Sequence, residues 1–172
     1  MRLTCILISL VVGLTFQVRA TAAQEPTSVI ETYGSWTFQC RTSQPENNEA
    51  LSKNCQVSQE QSQTDTGNRI VVIAFTREAG GETGMTIVSP FGLQLSEGIS
   101  LTKEEEIVGE FEFLTCVPQG CLVETALTTD QVEILQNQNP FNINMRTVGG
   151  QDLLIVVETN GLSAALERLN QY

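Results

Sequence analysis

The sequence predicts a mainly β protein: an antiparallel β-sandwich or barrel-like single domain with two short helices and two local disulfides. Three observations carry this. Short runs alternate apolar and polar residues at the strand period of two. Turn signals rich in Gly, Pro and Asn separate those runs. Cys40, Cys55, Cys116 and Cys121 follow a leader that points to an oxidising compartment, where paired cysteines act as cross-links.

That leader is the first element. Met1-Arg2 is a short basic start, and residues 3–16 form an apolar run too short to span a bilayer. Arg19-Ala20-Thr21-Ala22-Ala23 then places small residues where a signal peptidase cuts, so residues 1–22 are expected to be a cleaved signal peptide, cut after Ala22 or Ala23. Cys5 lies inside that segment, with no lipidation context around it. Residues 23–32 are expected to be a flexible N-terminus, and 33–172 a single domain.

Tyr33-Gly34-Ser35 leads into Trp36-Thr37-Phe38-Gln39-Cys40, where Trp36, Phe38 and Cys40 share one strand face. Residues 41–54 read as a polar loop, and Cys55-Gln56-Val57-Ser58-Gln59 as the returning strand. After a polar stretch ending near Gly67, residues 69–75 (RIVVIAF) are apolar on both faces, which predicts a central strand covered on both sides. Residues 79–84 (AGGETG) form a glycine-rich hairpin tip, lacking the lysine and helix start of a phosphate loop. Met85 to Val88 follows as a short strand. Ile99-Ser100-Leu101 and residues 107–114 (IVGEFEFL) flank an acidic tip at 103–106, with Ile107, Phe111 and Phe113 expected on the buried face opposite Glu110 and Glu112.

Cys116-Val117-Pro118-Gln119-Gly120-Cys121 encloses a tight turn and is not a C-x-x-C redox motif. Thr128, with Gln131 three residues on, predicts an N-capped helix over about 128–137. Phe141, Ile143 and Met145 alternate with polar residues. Gly149-Gly150 supplies a turn, and residues 152–158 (DLLIVVE) are expected to return as a well-buried strand. Leu162, Leu166 and Leu169 mark one face of a closing helix over about 161–170. Four cysteines permit three pairings. Local closure, Cys40 to Cys55 and Cys116 to Cys121, is the simplest.

Composition excludes more than it assigns. Loss of residues 1–22 removes Arg2 and Arg19, leaving seven basic against 20 acidic side chains, a net charge of −13. Such a surface repels nucleic acid and anionic lipid. No later segment reaches transmembrane length. The chain contains no histidine, which removes Ser-His-Asp and Cys-His nucleophile systems and the H-E-x-x-H zinc site. No catalytic, cofactor-binding or metal-ligating residue is assigned. The remaining chemical candidates are carboxylates for acid–base hydrolysis, among them Glu78, Glu97, Glu110, Glu124, Asp130 and Glu158. The acidic tip lacks the spacing of a calcium loop. Ser163, in Gly161-Leu162-Ser163-Ala164-Ala165, lacks the final glycine of a nucleophile elbow and reads as a polar helix position. Trp36, Phe91 and Phe141 are candidates for a contact surface, with core packing the plainer expectation.

Several blocks together resemble the invasion-associated locus B family. They are Tyr33-Gly34-Ser35-Trp36 with Cys40, then Cys55 on a Gln-rich strand, then residues 89–99 (SPFGLQLSEGI). Residues 113–121 (FLTCVPQGC) and 160–166 (NGLSAAL) complete the series, in order, across nearly the whole mature chain. The closing block departs from the usual pattern: Asn160-Gly161-Leu162 stands where members generally carry a lysine or similar followed by Gly-Phe. The resemblance implies a small exported alphaproteobacterial protein of mostly β fold, in the periplasm or on the outer membrane, with secretion as a further possibility. Some members in host-associated bacteria are linked to host-cell invasion. The expectation is a non-enzymatic binding protein whose partner is an unknown envelope or host protein. The alternative is a carboxylate-dependent hydrolase of envelope polysaccharide, and a third reading is a thiol-active envelope protein.

Overall fold

The computed structural model describes residues 27–43 and 51–172. The expected signal peptide at 1–22, its cleavage positions, residues 23–26 and the middle of the expected loop, 44–50, lie outside the described residues.

Antiparallel pairing of short, alternating strands builds two sheets. The large sheet contains β1 (Ser28–Tyr33), β2 (Trp36–Ser43), β3 (Ser52–Ser62), β4 (Arg69–Arg77), β5 (Thr83–Ser89), β8 (Thr115–Val117) and β9 (Gly120–Leu127). Its lateral order is β1-β2-β3-β4-β5-β9-β8. The small sheet takes β6 (Ile99–Lys103), β7 (Glu106–Phe111), β10 (Phe141–Arg146) and β11 (Asp152–Val157), in the order β11-β10-β6-β7. One apolar core lies between them, with Trp36, Phe38, Phe75 and Phe141 among its largest fully buried side chains. The expected sandwich with two short helices is the observed architecture.

Helix α1 (Thr129–Gln136) begins as its sequence requires. The Thr128 hydroxyl accepts from the Gln131 N–H, and the Gln131 side chain accepts from the Thr128 N–H, so two otherwise orphaned donors are satisfied. Helix α2 (Leu162–Leu169) buries Leu162, Ala165, Leu166 and Leu169 against β1 to β4, the i, i+3, i+4, i+7 stripe expected of an amphipathic helix.

Both disulfides close locally and join directly opposed residues of neighbouring strands, Cys40 with Cys55 and Cys116 with Cys121. Opposed residues in an antiparallel ladder already have close Cβ atoms, so the cross-links follow from register.

Five expectations are corrected. Residues 28–32, within the stretch expected to be flexible, form β1 together with Tyr33, because their alternation lets Val29, Glu31 and Tyr33 pair with the inward residues of β2. Strands β2 and β3 run to Ser43 and from Ser52, so both extend into the expected 41–54 loop. In β4, Val71, Ile73 and Phe75 are buried, whereas the opposite face is only partly covered, with Ala74 buried and Ile70, Val72 and Thr76 half-buried. The β6–β7 pairing slips between Leu101 and Thr102, inserting a bulge that turns Val108 inward and leaves Ile107 64% exposed. β11 is a sheet edge: Ile155 and Val157 are buried, whereas Leu154 and Val156 face outward.

Polar side chains cover part of the small sheet's edges. On β11 the Gln61 amide donates to the Val156 carbonyl at 2.7 Å, and just past its end Gln59 Nε2 and Trp36 Nε1 both donate to the Glu158 carbonyl at 2.9 Å. On β7, Gln131 Nε2 donates to the Val108 carbonyl at 3.0 Å. These bonds satisfy edge carbonyls that would otherwise offer a template to another strand.

Candidate functional site

The outward face of the small sheet assembles two lateral rows, each drawing one residue from every strand. Because side chains alternate, the pairings Leu154 with Asn144, Asn144 with Ser100, and Ser100 with Glu110 place these four on one face. The next row is Val156, Asn142, Thr102 and Ile107. The centre of the face is therefore amide and hydroxyl, tied together by Asn144 Nδ2 bonding to the Ser100 carbonyl at 3.3 Å and to Thr102 Oγ1 at 3.0 Å. Its margins are apolar: Leu154 is 56% exposed and Val156 44%.

One end of this face opens into a groove of about 650 Å³, lined by β6, β7, β10, β11 and the 96–98 segment. Glu97, Glu110, Glu112 and Asp152 line it with a single cation, Arg146. Arg146 is already shared, with Nε 3.9 Å from Glu97 and Nη1 3.6 Å from Asp152. The groove is consequently an anionic surface. Beside it, the loop from residue 90 to 95 is clipped to the β10–β11 turn: Gln94 N–H donates to Arg146 O at 2.7 Å, and Val148 N–H to Gly92 O at 2.9 Å. The clip leaves Phe91, Leu95 and Val148 exposed along the same end of the molecule.

Opposite this region, the closing block is a structural latch. Arg168 grips Glu31 through two hydrogen bonds, Nε to Oε2 at 2.8 Å and Nη2 to Oε1 at 3.0 Å, and the Tyr33 hydroxyl donates to Glu31 Oε2 at 2.7 Å. The Arg168 bond, aided by Tyr33, holds the Glu31 carboxyl below its usual range, against a smaller opposing effect of burial. The same anion raises the Tyr33 phenol and the Arg168 guanidinium above theirs. Gly161, at φ +87°, lies against the Tyr33–Gly34 backbone so closely that any Cβ would overlap the Tyr33 carbonyl. Asn160-Gly161-Leu162 thus closes the fold onto the first hairpin.

The acidic β6–β7 tip contains a buried cation. The Lys103 ammonium donates to the Asn137 carbonyl at 3.0 Å and more weakly to the Leu135 carbonyl at 3.4 Å, satisfying the last turn of α1. Burial pushes its amine below the usual lysine range, with nearby Glu104 opposing. The two-residue turn itself is Glu104-Glu105, both at positive φ, as a tight β-hairpin requires.

The carboxylate candidates are scattered. Glu97 and Glu110 meet in the groove described above, Glu78 and Glu124 flank a separate concavity beside the β4–β5 turn, and Asp130 sits in the first turn of α1. Glu158 contributes its backbone carbonyl to the edge caps. Trp36 and Phe141 are core residues, whereas Phe91 is 62% exposed. Ser163 is an exposed residue of α2. Among the described residues, no group of three or more His, Cys, Asp or Glu side chains is placed to hold a metal ion. No helix among them is long and apolar enough to cross a membrane. The outward rows were missed in the sequence because they depend on lateral strand order. Their one local signal was the Asn142, Asn144, Arg146 alternation.

An antiparallel sandwich stapled within adjacent strands, with one polar, apolar-rimmed sheet face, defines a β-scaffold class of protein with no assembled catalytic constellation among its described residues. The family model described as Invasion associated locus B (IalB) protein matches residues 36–170, and the chain belongs to that family. An invasion protein B homolog of Brucella abortus (strain 2308) is 31% identical over 140 residues, covering 81% of this chain and 78% of the relative. Invasion protein B of Bartonella bacilliformis is 27% identical over 154 residues, covering 87% and 79%. The crystal structure of invasion associated protein b from Bartonella henselae superposes with a TM-score of 0.71 at 27% identity, covering 82% of this chain and 94% of that one.

Proposed function

We propose that this chain is an exported, non-enzymatic binding protein of the bacterial envelope, linked through its family to host-cell association. The observation that carries the reading is the outward face of the small sheet, where Leu154, Val156 and Ile107 stand exposed around an ordered polar centre. An apolar-rimmed patch beside a clipped loop is the surface chemistry of a protein contact, held on a rigid scaffold. The N-terminal leader and the two disulfides support export to an oxidising compartment. The relatives named invasion proteins support the link to host cells.

Cross-linking in intact cells, followed by isolation of the tagged chain, tests this. Discrete adducts with one or a few envelope or host proteins are expected. Recovery of free monomer alone overturns the reading.

Polysaccharide hydrolysis is the competing proposal, since Glu97 and Glu110 share one groove. Both are exposed and Glu97 leans on Arg146, whereas a general acid needs a carboxyl shielded from water. Glycan release by the wild type that Glu110→Gln abolishes would favour the enzyme.

A further inference from the structure

We propose that the free stretch of β11, from Asp152 to Leu154, is a docking edge that accepts a basic, extended segment of a partner protein as an additional strand. The inference rests on the binding reading above and names the chemistry of the partner.

The edge follows from hydrogen-bond parity. Thr147 N–H donates to Gln151 O at 2.9 Å, which sets the alternation of the β10–β11 hairpin. Met145 with Leu153 and Ile143 with Ile155 then exchange bonds, while the amide groups of Asp152, Leu154 and Val156 turn away from β10. The outward Val156 carbonyl agrees, since it is the one that receives Gln61. Caps therefore reach Val156 and Glu158, and Val108 on the opposite edge of the sheet. Among the described residues none reaches the outward groups of Asp152 and Leu154. An uncapped stretch of edge, in a sheet whose edges are capped at Val156, Glu158 and Val108, is the geometry of strand addition.

Side chains select the occupant. Leu154 and Val156 offer apolar contact to alternate residues of an added strand. Asp152, Glu97, Glu110 and Glu112 surround the adjoining groove, and its one cation, Arg146, already faces two of these acids. Charge complementarity calls for lysine or arginine flanking one or two apolar residues. About four residues suffice to run from Asp152 to Val156.

The probe is a synthetic, end-blocked octapeptide of alternating Lys and Val, titrated into the mature protein while backbone amide signals and hydrogen exchange are followed. Two controls accompany it: the Glu/Val counterpart, and a Lys/Val version N-methylated at alternate residues so that one edge cannot donate. The Lys/Val peptide is expected to shift and protect the Leu154 and Val156 amides, with the Glu/Val peptide silent. Backbone methylation, or Asp152→Lys in the protein, should each weaken binding about tenfold. Leu154→Pro deletes an N–H that no strand of the fold uses, and should abolish protection with the distant core signals unchanged. Equal binding of the methylated peptide, perturbation confined to another surface, or no binding overturns the edge. If cells still yield a cross-linked partner with Asp152→Lys, the edge fails while the binding reading stands; absence of any partner removes the binding reading first.

Discussion

Arg168 links sequence ends that are far apart, and its clamp on Glu31 makes stability depend on acid pH in a defined direction. Folding lowers the Glu31 carboxyl from its ordinary value, so its contribution is fully present above that value and is lost as pH falls through the lower folded value. Thermal melts followed downward from about pH 5 should show Arg168→Ala weakening the wild-type loss of stability on acidification. An unchanged slope would mean that the clamp does not couple to folding. Gly161 supplies a second test at this scale. Alanine there must adopt φ near +87° and meet the Tyr33 carbonyl, so Gly161→Ala should cost at least about 1–2 kcal/mol in denaturant unfolding. Gly161→Ala melting like the wild type would exclude the latch.

At the scale of elements, the two cross-strand disulfides differ in the loop that each constrains. The Cys40–Cys55 bridge spans a separation of 15 and Cys116–Cys121 one of 5. The chain-entropy model then gives about 3 kcal/mol for the first and about 2 kcal/mol for the second. Paired Cys→Ala variants should both unfold at lower denaturant concentration, Cys40/Cys55 by the larger margin, and equal losses would contradict the loop-length account. Elements with a local code were legible before the structure: the Trp36, Phe38, Cys40 alternation, the Thr128–Gln131 capping box, and the leucine stripe of α2. Elements whose code is lateral were not. Residues 122–127 of β9 have no local punctuation and earn their place by pairing with β5. The bulge that exposes Ile107 and buries Val108 arises from register with β6, and the edge position of β11 from its lack of a second neighbour. The outward face of the small sheet inherits this limit, because its rows exist only once four strands are set side by side.

Over the whole molecule, the acidic surface and the stapled sandwich serve one end. A net charge of −11 over the full sequence disfavours edge-to-edge association of a β-rich chain, while two disulfides and the Arg168 latch brace the scaffold. On the binding reading proposed above, the contact lies on the small-sheet face with its clipped loop. The large sheet's outer face supplies the internal control, since Thr37 on β2 looks outward from the opposite side of the core. The most direct measurement is photo-cross-linking in intact cells, with a photoreactive side chain placed at Ser100 in the middle of the small-sheet face or at Thr37. A discrete partner adduct from position 100 and none from position 37 is the predicted result. Adducts from position 37 alone, equal yields from both, or none from position 100 would contradict it.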